Sequence, residues 1–278
     1  VDGDIDLFFG HWGANWRLKD PLTQYLWQND GSGFFTDVTD QVAISDEKTL
    51  RGVAAETSFT PTFADIDSDG YPDMLLASDF ARSQVLRNES GQAFVDATTT
   101  VISDENGMGN AVGDYDRDGD LEWFGSSIND GDDSDEGGTG NRLYRNVDGL
   151  GNFEDVTDEA GVRDGYWGWG SCFADFDNDG YLGLFHTNGV EDFDDRYSDD
   201  PSRLFMSNGD GTFTEQSEPA GISHTGQGRG VACVDYNNDG KLDIFIANNG
   251  TGPTVYENES DNANHYLMID LAGIGKNP

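Results

Sequence analysis

The chain has 278 residues, and its 54 Asp and Glu against 15 Lys and Arg give a formal net charge of −39. A surface this acidic repels phosphates, which argues against a nucleic-acid partner. The 37 Gly residues and the preference for Asp over Glu disfavour long helices and favour turns. No run of about 18 apolar residues is present, so we expect no membrane span.

A nine-residue phrase that begins Asp-x-Asp/Asn-x-Asp-Gly recurs along the chain, and a partial copy already covers residues 2–6. Complete copies occupy residues 65–73, 114–122, 175–183 and 235–243, and their first residues are 49, 61 and 60 positions apart. Copies at such intervals indicate one supersecondary unit per repeat.

Short apolar segments flank each phrase, which predicts two strands joined by an Asp-rich turn. A second shared phrase follows each of the first four turns, in which a segment ending in Asn precedes one beginning with Phe, as at residues 143–146 and 153–157. Gly-rich turns between its halves, such as residues 208–211, are hairpin signals. Four strands per repeat form the blade of a β-propeller, so we predict an all-β propeller with about five visible blades.

The Asp-rich turns carry the oxygen ligands that calcium prefers. Calcium takes about six to eight oxygens, and such a loop offers carboxylates at positions 1, 3 and 5 and a backbone carbonyl at position 7. An EF-hand also needs a bidentate Glu at position 12. Position 12 holds Leu76, Gly125, His186 and Ile246. An acid at position 9 therefore closes these loops instead, as Asp73, Glu122 and Asp243.

We predict about one Ca²⁺ ion per turn, and prefer it to magnesium, which demands near-octahedral geometry and keeps its waters. The predicted ligand positions are Asp2, Asp4 and Asp6; Asp65, Asp67, Asp69, Tyr71 and Asp73; Asp114, Asp116, Asp118, Asp120 and Glu122; Asp175, Asp177, Asp179 and Tyr181; and Asp235, Asn237, Asp239, Lys241 and Asp243. Gly183 stands where the third complete turn should carry its closing acid. We expect the weakest binding there.

The repeats resemble FG-GAP (VCBS) repeats, and residues 168–180 and 228–240 are similar to phrases of the cartilage-acidic-protein (ASPIC/UnbV) group. The resemblance implies an extracellular or cell-envelope propeller over residues 1–262, with calcium in its turns and about seven blades in the intact protein. Residues 263–278 form a last strand or resemble the start of the UnbV segment of that group. Because the first turn is partial, we expect a piece of a longer protein, with a closed five-bladed ring as the alternative.

The two cysteines, Cys172 and Cys233, stand three and two residues before the Asp-rich turn that follows each. Successive residues of a strand point to opposite faces of the sheet, so this difference in parity predicts side chains on opposite faces. We therefore expect no disulfide between them.

The loops between second and third strands vary most, and a propeller gathers such loops on one face. One of them carries Trp12 and Trp16, which are candidates for stacking on a sugar ring. Solvated acidic loops with packed aromatic side chains are the plainer interpretation. Trp167 and Trp169 are expected to pack between blades. The four His residues share no spacing with each other or with a nucleophile, which gives little support to a zinc site or a triad.

Together these features predict a non-enzymatic, secreted calcium-binding scaffold for adhesion or recognition, with a protein, matrix or glycan partner. Three alternatives stay open, namely a lectin-like glycan-binding module, a polysaccharide lyase or hydrolase, and a self-assembling subunit of a surface filament or sheath. Paired carboxylates are too abundant in this chain for any one pair to identify a glycosidase.

Overall fold

The structure, a computed structural model, describes residues 3–10, 12, 25–44, 57–129, 138–190 and 197–269. Within these ranges the strands form five antiparallel sheets, three with four strands and two with three. The strands of every sheet follow one another in chain order, as in a meander. Each sheet corresponds to one repeat, and we number them as blades 1 to 5.

The strands have the following bounds. Blade 1 contains β1 (Leu7–Phe9), β2 (Tyr25–Asn29) and β3 (Phe35–Asp37). Blade 2 contains β4 (Ser58–Ala64), β5 (Asp73–Ser78), β6 (Gln84–Asn88) and β7 (Phe94–Asp96). Blade 3 contains β8 (Gly109–Gly113), β9 (Glu122–Ser126), β10 (Arg142–Asn146) and β11 (Phe153–Asp155). Blade 4 contains β12 (Gly168–Ala174), β13 (Gly183–Asn188), β14 (Arg203–Ser207) and β15 (Phe213–Glu215). Blade 5 contains β16 (Gly228–Val234), β17 (Asp243–Asn248) and β18 (Thr254–Tyr256).

One short helix, α1 (Thr157–Ala160), follows the last strand of blade 3. It ends at Gly161, whose left-handed φ of 76° is a common way to terminate a helix. No helix in the described ranges has the length and apolarity needed to cross a membrane.

The innermost strands of blades 2 to 5 lie side by side, with β4 beside β8, β8 beside β12, and β12 beside β16. Sheets that radiate in this way from adjacent inner strands form a β-propeller, which confirms the predicted fold class with five visible blades. Blade 1 begins at the strand that follows its Asp-rich turn, and no counterpart of the innermost strand is described there.

The hydrophobic core lies between the blades. Four clusters of buried side chains each join two successive blades. Between blades 3 and 4, Tyr115, Phe124 and Leu143 pack with Leu184 and Phe205. Both faces of an internal sheet are therefore covered, which explains why the second strands β5, β9 and β13 are buried at every position.

A disulfide joins Cys172 of β12 to Cys233 of β16 with their Cα atoms 6.4 Å apart, so the expectation of no bridge was wrong. The two side chains do occupy opposite faces of their own sheets, since Cys172 pairs with Phe185 and Cys233 with Ile244. Successive blades stack face to face, however, so opposite faces of neighbouring sheets meet. A bridge between neighbouring blades therefore requires two cysteines whose side chains point to opposite faces of their own sheets.

Trp169 and Trp167 pack between blades, as the sequence predicts. The ring of Trp169 meets Phe59 of blade 2 edge to face, with centroids 5.4 Å apart, and Arg229 of blade 5 lies 4.0 Å from its centroid. The indole of Trp167 donates to Met108 Sδ at 3.2 Å. These contacts tie blade 4 to blades 2, 3 and 5.

The described part of the predicted terminal segment, residues 263–269, forms no strand. Asn262 and Asn264 donate hydrogen bonds to the carbonyl of Asp177 at 2.8 and 2.9 Å. This tail therefore lies over the Asp-rich turn of blade 4. Its assignment as a last strand or a UnbV-like segment stays a prediction.

Candidate metal centre

The Asp-rich turns connect the first and second strands of blades 2 to 5, and the first Asp organises each turn. In blade 2, Asp65 accepts hydrogen bonds from the amides of Asp69 at 3.0 Å and Gly70 at 2.9 Å. The amides of Gly119, Gly180 and Gly240 donate to the first Asp of their own turns at 3.2, 2.9 and 2.8 Å. One carboxylate thus holds the backbone of the turn around itself.

Two positions of each turn have left-handed backbone. Position 4 is occupied by Ser68, Arg117, Asn178 and Asn238, with φ between 56° and 65°. Position 6 is always Gly, with φ between 85° and 97°, a region that residues with a Cβ rarely adopt. The recurring Gly therefore has a conformational cause.

Carboxylates converge in three of the turns, where one ligand atom from each residue lies within 4.8 Å of the others. The three groups are Asp65, Asp67 and Asp73; Asp114, Asp116 and Glu122; and Asp175, Asp177 and Asp179. In blade 5, where Asn237 replaces an Asp, the amide of Asp239 donates to Asp235 and to Asn237 at 3.1 Å each. Such oxygen-rich clusters could hold a metal ion.

The acid at position 9 is buried and bound by backbone amides. Asp73 accepts from the amides of Ile66 at 3.3 Å and Asn88 at 2.7 Å, and it is 1% exposed. Asp243 accepts from Tyr236 at 3.2 Å and Asn258 at 2.8 Å. Glu122 accepts from Tyr115 at 3.2 Å. Each position-9 side chain therefore fastens its turn, and in blades 2 and 5 it also binds the end of the third strand.

Burial makes Asp73 and Glu122 costly to ionise without a cation. Burial, together with the negative charge of nearby Asp side chains, raises the pKa of Asp73 to about 6 and that of Glu122 to about 9. Glu122 Oε1 and Asp114 Oδ1 are buried without a hydrogen-bond partner. Buried polar atoms in proteins are almost always paired, so these two oxygens fit a site for a hard cation.

The amide of position 7 donates to the carboxylate of position 5 in every complete turn. Tyr71, Asp120, Tyr181 and Lys241 donate to Asp69, Asp118, Asp179 and Asp239 at 2.8, 3.0, 2.8 and 3.0 Å. These bonds orient the fifth-position carboxylates. The backbone carbonyl of position 7 as a ligand stays a prediction.

The partial turn of blade 1 ends with the same geometry. Gly3 has a φ of 91°, which lies within the range of the Gly residues at position 6 of the complete turns. Asp6 accepts a hydrogen bond from the amide of Asn29 at 2.8 Å. Asp4 stands at position 7, beside Gly31. Asp2 lies outside the described residues, so its predicted role is untested.

A family model described as FG-GAP-like repeat matches residues 1–76, 65–125 and 196–246, which together make up more than half of the chain. The chain belongs to the FG-GAP-like repeat family. The matched ranges contain the Asp-rich turns of blades 1, 2, 3 and 5 and leave out the turn of blade 4.

The chain is also similar to cartilage acidic protein 1 from three vertebrates. It is 39% identical to the human protein over 77 residues, which are 27% of this chain and 10% of that protein. The mouse protein is 38% identical over 77 residues, with the same shares. The protein from Xenopus tropicalis is 47% identical over 49 residues, 17% of this chain and 8% of that protein. The aligned segment thus spans a tenth or less of each relative.

The blade 4 turn of this FG-GAP propeller departs from the others at two linked places. A Cβ on Gly183, at position 9, would lie 3.0 Å from Phe176 Cδ2, so the ring of Phe176 takes the space beside it. Ser207 stands at the end of the third strand, where Asn88 and Asn258 donate their amides in blades 2 and 5. Blade 4 therefore lacks both the acid at position 9 and the Asn at the end of the third strand.

The Asn at the end of the third strand also joins neighbouring blades, a role that sequence reasoning missed. Asn146 Nδ2 of blade 3 donates to the carbonyl of Ile66 in the blade 2 turn at 2.9 Å. Asn258 Nδ2 of blade 5 reaches Phe176 in the blade 4 turn at 2.7 Å. The signal was present in the recurring Asn of the second phrase. Its partner lies about 80 residues away and is visible only in the fold.

Trp12 lies on the face of the propeller remote from the Asp-rich turns. Its ring stacks on Phe59 with centroids 5.7 Å apart, its Nε1 donates to Asp79 Oδ2 at 3.1 Å, and half of it is exposed. Burial raises the pKa of Asp79, and the Trp12 hydrogen bond opposes that shift. Trp16, the other predicted sugar-stacking residue, lies outside the described residues.

The fold brings Ser202, His224 and Asn248 into one hydrogen-bonded chain that their spacing did not reveal. Ser202 Oγ is 3.0 Å from His224 Nδ1, and His224 Nε2 is 2.8 Å from Asn248 Oδ1. Ser202 is fully buried and also contacts Thr187 Oγ1 at 3.1 Å. We assign this chain to structural pairing of buried polar groups, because no substrate reaches a buried hydroxyl.

Proposed function

We propose that this FG-GAP propeller is an extracellular or cell-envelope scaffold whose Asp-rich turns bind calcium and whose surface recognises a protein, matrix or glycan partner. The observation that carries the proposal is the repeated turn geometry, with carboxylates gathered around a shared space and buried oxygens left unpaired in blade 3. A solvated turn does not need carboxylates at positions 1 and 5 of every complete turn, with a further acid at position 3, at position 9 or at both.

Calcium fits these turns better than magnesium does. The clusters offer flexible carboxylates and amide oxygens, which suit the variable coordination of calcium at about 2.3 to 2.6 Å. The blade 3 turn also borders a cavity of about 350 Å³ between blades 3 and 4, lined by Asp116, Asp118, Arg145 and Asp210 among others. Water and ions therefore have access to this turn.

The turns would transmit calcium binding to the contacts between blades. The position-2 residue of each internal turn, such as Ile66 or Phe176, is buried in the interface with the next blade. Arg117 of the blade 3 turn lies 4.8 Å from the Tyr181 ring of the blade 4 turn, and Asn178 donates to Gly240 of the blade 5 turn at 3.1 Å. A bound cation would neutralise the crowded carboxylates and so stabilise turn and interface together.

An extracellular or envelope location is supported by the disulfide between Cys172 and Cys233, because such bonds persist in oxidising compartments. The proposal assigns no catalytic step to the chain. Its converging carboxylates recur from blade to blade, as structural cation sites do, whereas an active site occurs once.

A lectin-like function is the second candidate, and the exposed half of the Trp12 ring favours it. Aromatic faces stack on sugar rings, and Trp12 is held in place by Phe59 and Asp79. Binding to a glycan array that disappears in Trp12→Ala, and survives in Trp167→Phe, would support this function. Equal binding by Trp12→Ala and the unmodified chain would contradict it.

Calcium removal tests the main proposal. A ligand that binds only the folded state stabilises it, by about 2.7 kcal/mol for a site at a hundred times its Kd. We therefore expect the melting temperature, measured by circular dichroism, to fall when excess chelator is added and to recover with Ca²⁺ but less with Mg²⁺.

Matched variants locate the effect. Asp114→Asn should reduce the calcium-dependent rise in melting temperature, because it removes a carboxylate from the blade 3 turn. Glu218→Gln removes an exposed acid outside the turns and should leave that rise unchanged. A melting temperature that chelator does not alter would show that calcium is not structural here.

A further inference from the structure

A positive side chain lies against the Asp-rich turn of blade 2. Arg87, at the next-to-last position of β6, contacts Asp67 Oδ2 through one guanidinium nitrogen and the carbonyl of Leu150 through the other. Asp67 stands at position 3 of the turn and is one of its three converging acids, and Leu150 belongs to the hairpin between β10 and β11 of blade 3. Arg87 therefore spans the crevice between the turn of blade 2 and blade 3.

With Arg87 in place, the converging acids of blade 2 are fully paired. Asp65 and Asp73 each accept a hydrogen bond from a backbone amide at both of their carboxylate oxygens. Asp67 Oδ1 accepts a hydrogen bond from the amide of Asp69 at 3.3 Å, and Arg87 occupies its Oδ2. Every carboxylate oxygen of the three acids thus has a partner within the protein.

The equivalent arginine of blade 3 points elsewhere. Arg145 holds the same place in β10 as Arg87 holds in β6, but its guanidinium contacts Glu154, its pairing partner on β11. The residue that pairs with Arg87 on the fourth strand of blade 2 is Val95, which offers no charge. One difference on the fourth strand, Glu154 in place of Val95, therefore draws the arginine of blade 3 to its own sheet.

The converging acids of blade 3 are not fully paired. Among the described residues, Asp114 Oδ1 and Glu122 Oε1 are buried without a hydrogen-bond partner, and both acids belong to the converging group. The crevice on the side of the next blade, which Arg87 spans in blade 2, is here the open cavity of about 350 Å³. A cation can therefore approach the blade 3 turn without displacing a side chain.

We propose that Arg87 is a built-in counter-ion of the blade 2 turn, which Ca²⁺ must displace from Asp67, so that blade 2 binds calcium more weakly than blade 3. This inference rests on the calcium binding proposed above. An arginine-carboxylate pair is a strong, charge-assisted contact, and the affinity of a calcium site depends on the charge of its ligands. In the calcium-free protein, Arg87 supplies part of the neutralisation that only a cation can supply in blade 3.

Removal of the arginine is the first test. Arg87→Met introduces the residue that blade 4 has at this strand position, Met206. We expect a lower melting temperature than that of the parent chain in excess chelator, where the acids lose their counter-ion, and little or no difference in saturating Ca²⁺. Isothermal titration should show one site with roughly tenfold higher calcium affinity, which corresponds to about 1.4 kcal/mol for one charge-assisted hydrogen bond.

Two exposed positions redirect the arginines without removing them. Val95→Glu gives Arg87 the partner that Arg145 has, so it should raise calcium affinity as Arg87→Met does. Glu154→Val is the matched reverse change, which frees Arg145 to pair with the acids of the blade 3 turn and should lower the affinity of that site. Both positions lie on the surface, so this pair keeps the test valid if Arg87→Met fails to fold.

The outcomes separate this proposal from the calcium sites themselves. Unchanged or lower calcium affinity in Arg87→Met and Val95→Glu, or unchanged or higher affinity in Glu154→Val, would overturn the role of the arginine and leave calcium binding in place. A parent chain whose melting temperature responds to neither chelator nor Ca²⁺ would overturn the proposed calcium sites, and this inference with them.

Discussion

At the scale of residues, position 9 distinguishes one candidate cation site from another. Asp73 and Asp243 are buried and accept two backbone amides each, one from their own turn and one from the third strand. Blade 4 has Gly183 at this position, with the ring of Phe176 beside it. Its Asp175, Asp177 and Asp179 still converge, but no buried acid stands behind them.

The blade 4 turn should therefore contribute least to calcium binding. Asp179→Ala is expected to lower total calcium affinity less than Asp239→Ala, the same substitution in blade 5, because it disables a site that already lacks a ligand. Isothermal titration of both variants measures the difference. A greater loss in Asp179→Ala would contradict this ranking.

His186 is held neutral by its surroundings. Asn188 Oδ1 lies 2.9 Å from its Nδ1 and Asn141 Nδ2 lies 3.3 Å from its Nε2, so one ring nitrogen meets an acceptor and the other a donor. Complete burial lowers the pKa of His186 to about 4, and the positive charge of Arg203 acts in the same direction. An imidazolium would present a proton to the amide group of Asn141.

This pKa shift predicts a loss of stability in mild acid. The unfolded chain takes up the His186 proton near pH 6.5 and the folded chain only near pH 4, so the stability present above about pH 6.5 declines as the pH falls between these values. The decline amounts to roughly 3 kcal/mol at most. Urea unfolding of His186→Gln should show a smaller decline over this range than the unmodified chain. Identical pH profiles would exclude His186 as the cause.

At the scale of elements, covalent and polar contacts hold neighbouring blades together. The disulfide connects the inner strands β12 and β16, and Asn146 and Asn258 connect third strands to the turns of preceding blades. These links join residues 61 to 82 positions apart. The blades therefore do not depend on apolar packing alone.

Loss of the disulfide should destabilise the propeller measurably. A bridge over 61 residues restricts the unfolded chain, and removing such a bond typically costs about 2 to 4 kcal/mol. We expect the Cys172→Ser/Cys233→Ser variant to unfold at a lower urea concentration than the oxidised chain. The reduced parent chain should match the variant. Equal midpoints for the oxidised chain and the variant would show that the bond adds no stability.

At the scale of the whole molecule, self-repulsion is the main electrostatic force. A net charge of −39 on 278 residues opposes compaction, and cations in the turns would reduce the repulsion where it is most concentrated. Dissolved salt acts on the same charges by screening, with a Debye length of about 10 Å at 0.1 M.

Salt should therefore substitute in part for calcium. We expect the melting temperature in chelator to rise with NaCl concentration, and to rise less steeply in saturating Ca²⁺. Differential scanning calorimetry across both series measures the two slopes. Equal slopes would show that calcium does not relieve the repulsion that salt screens.

The sequence by itself determined the features that depend on near neighbours in the chain. The Asp-rich phrases predicted the turns, their Gly residues and the acids of position 9, since each turn builds its conformation from nine consecutive residues. The spacing of the phrases predicted one unit per repeat, and the apolar flanking segments together with the second phrase predicted four strands in each unit and hence the all-β propeller. The missing acid at Gly183 was visible for the same reason.

Only the tertiary structure decided which residues meet across blades. Cys172 and Cys233 can form a bridge because opposite faces of neighbouring sheets meet. The alternation of side chains along a single strand does not show which sheet faces come together. The same holds for Asn146 with Ile66, and for Ser202 with His224.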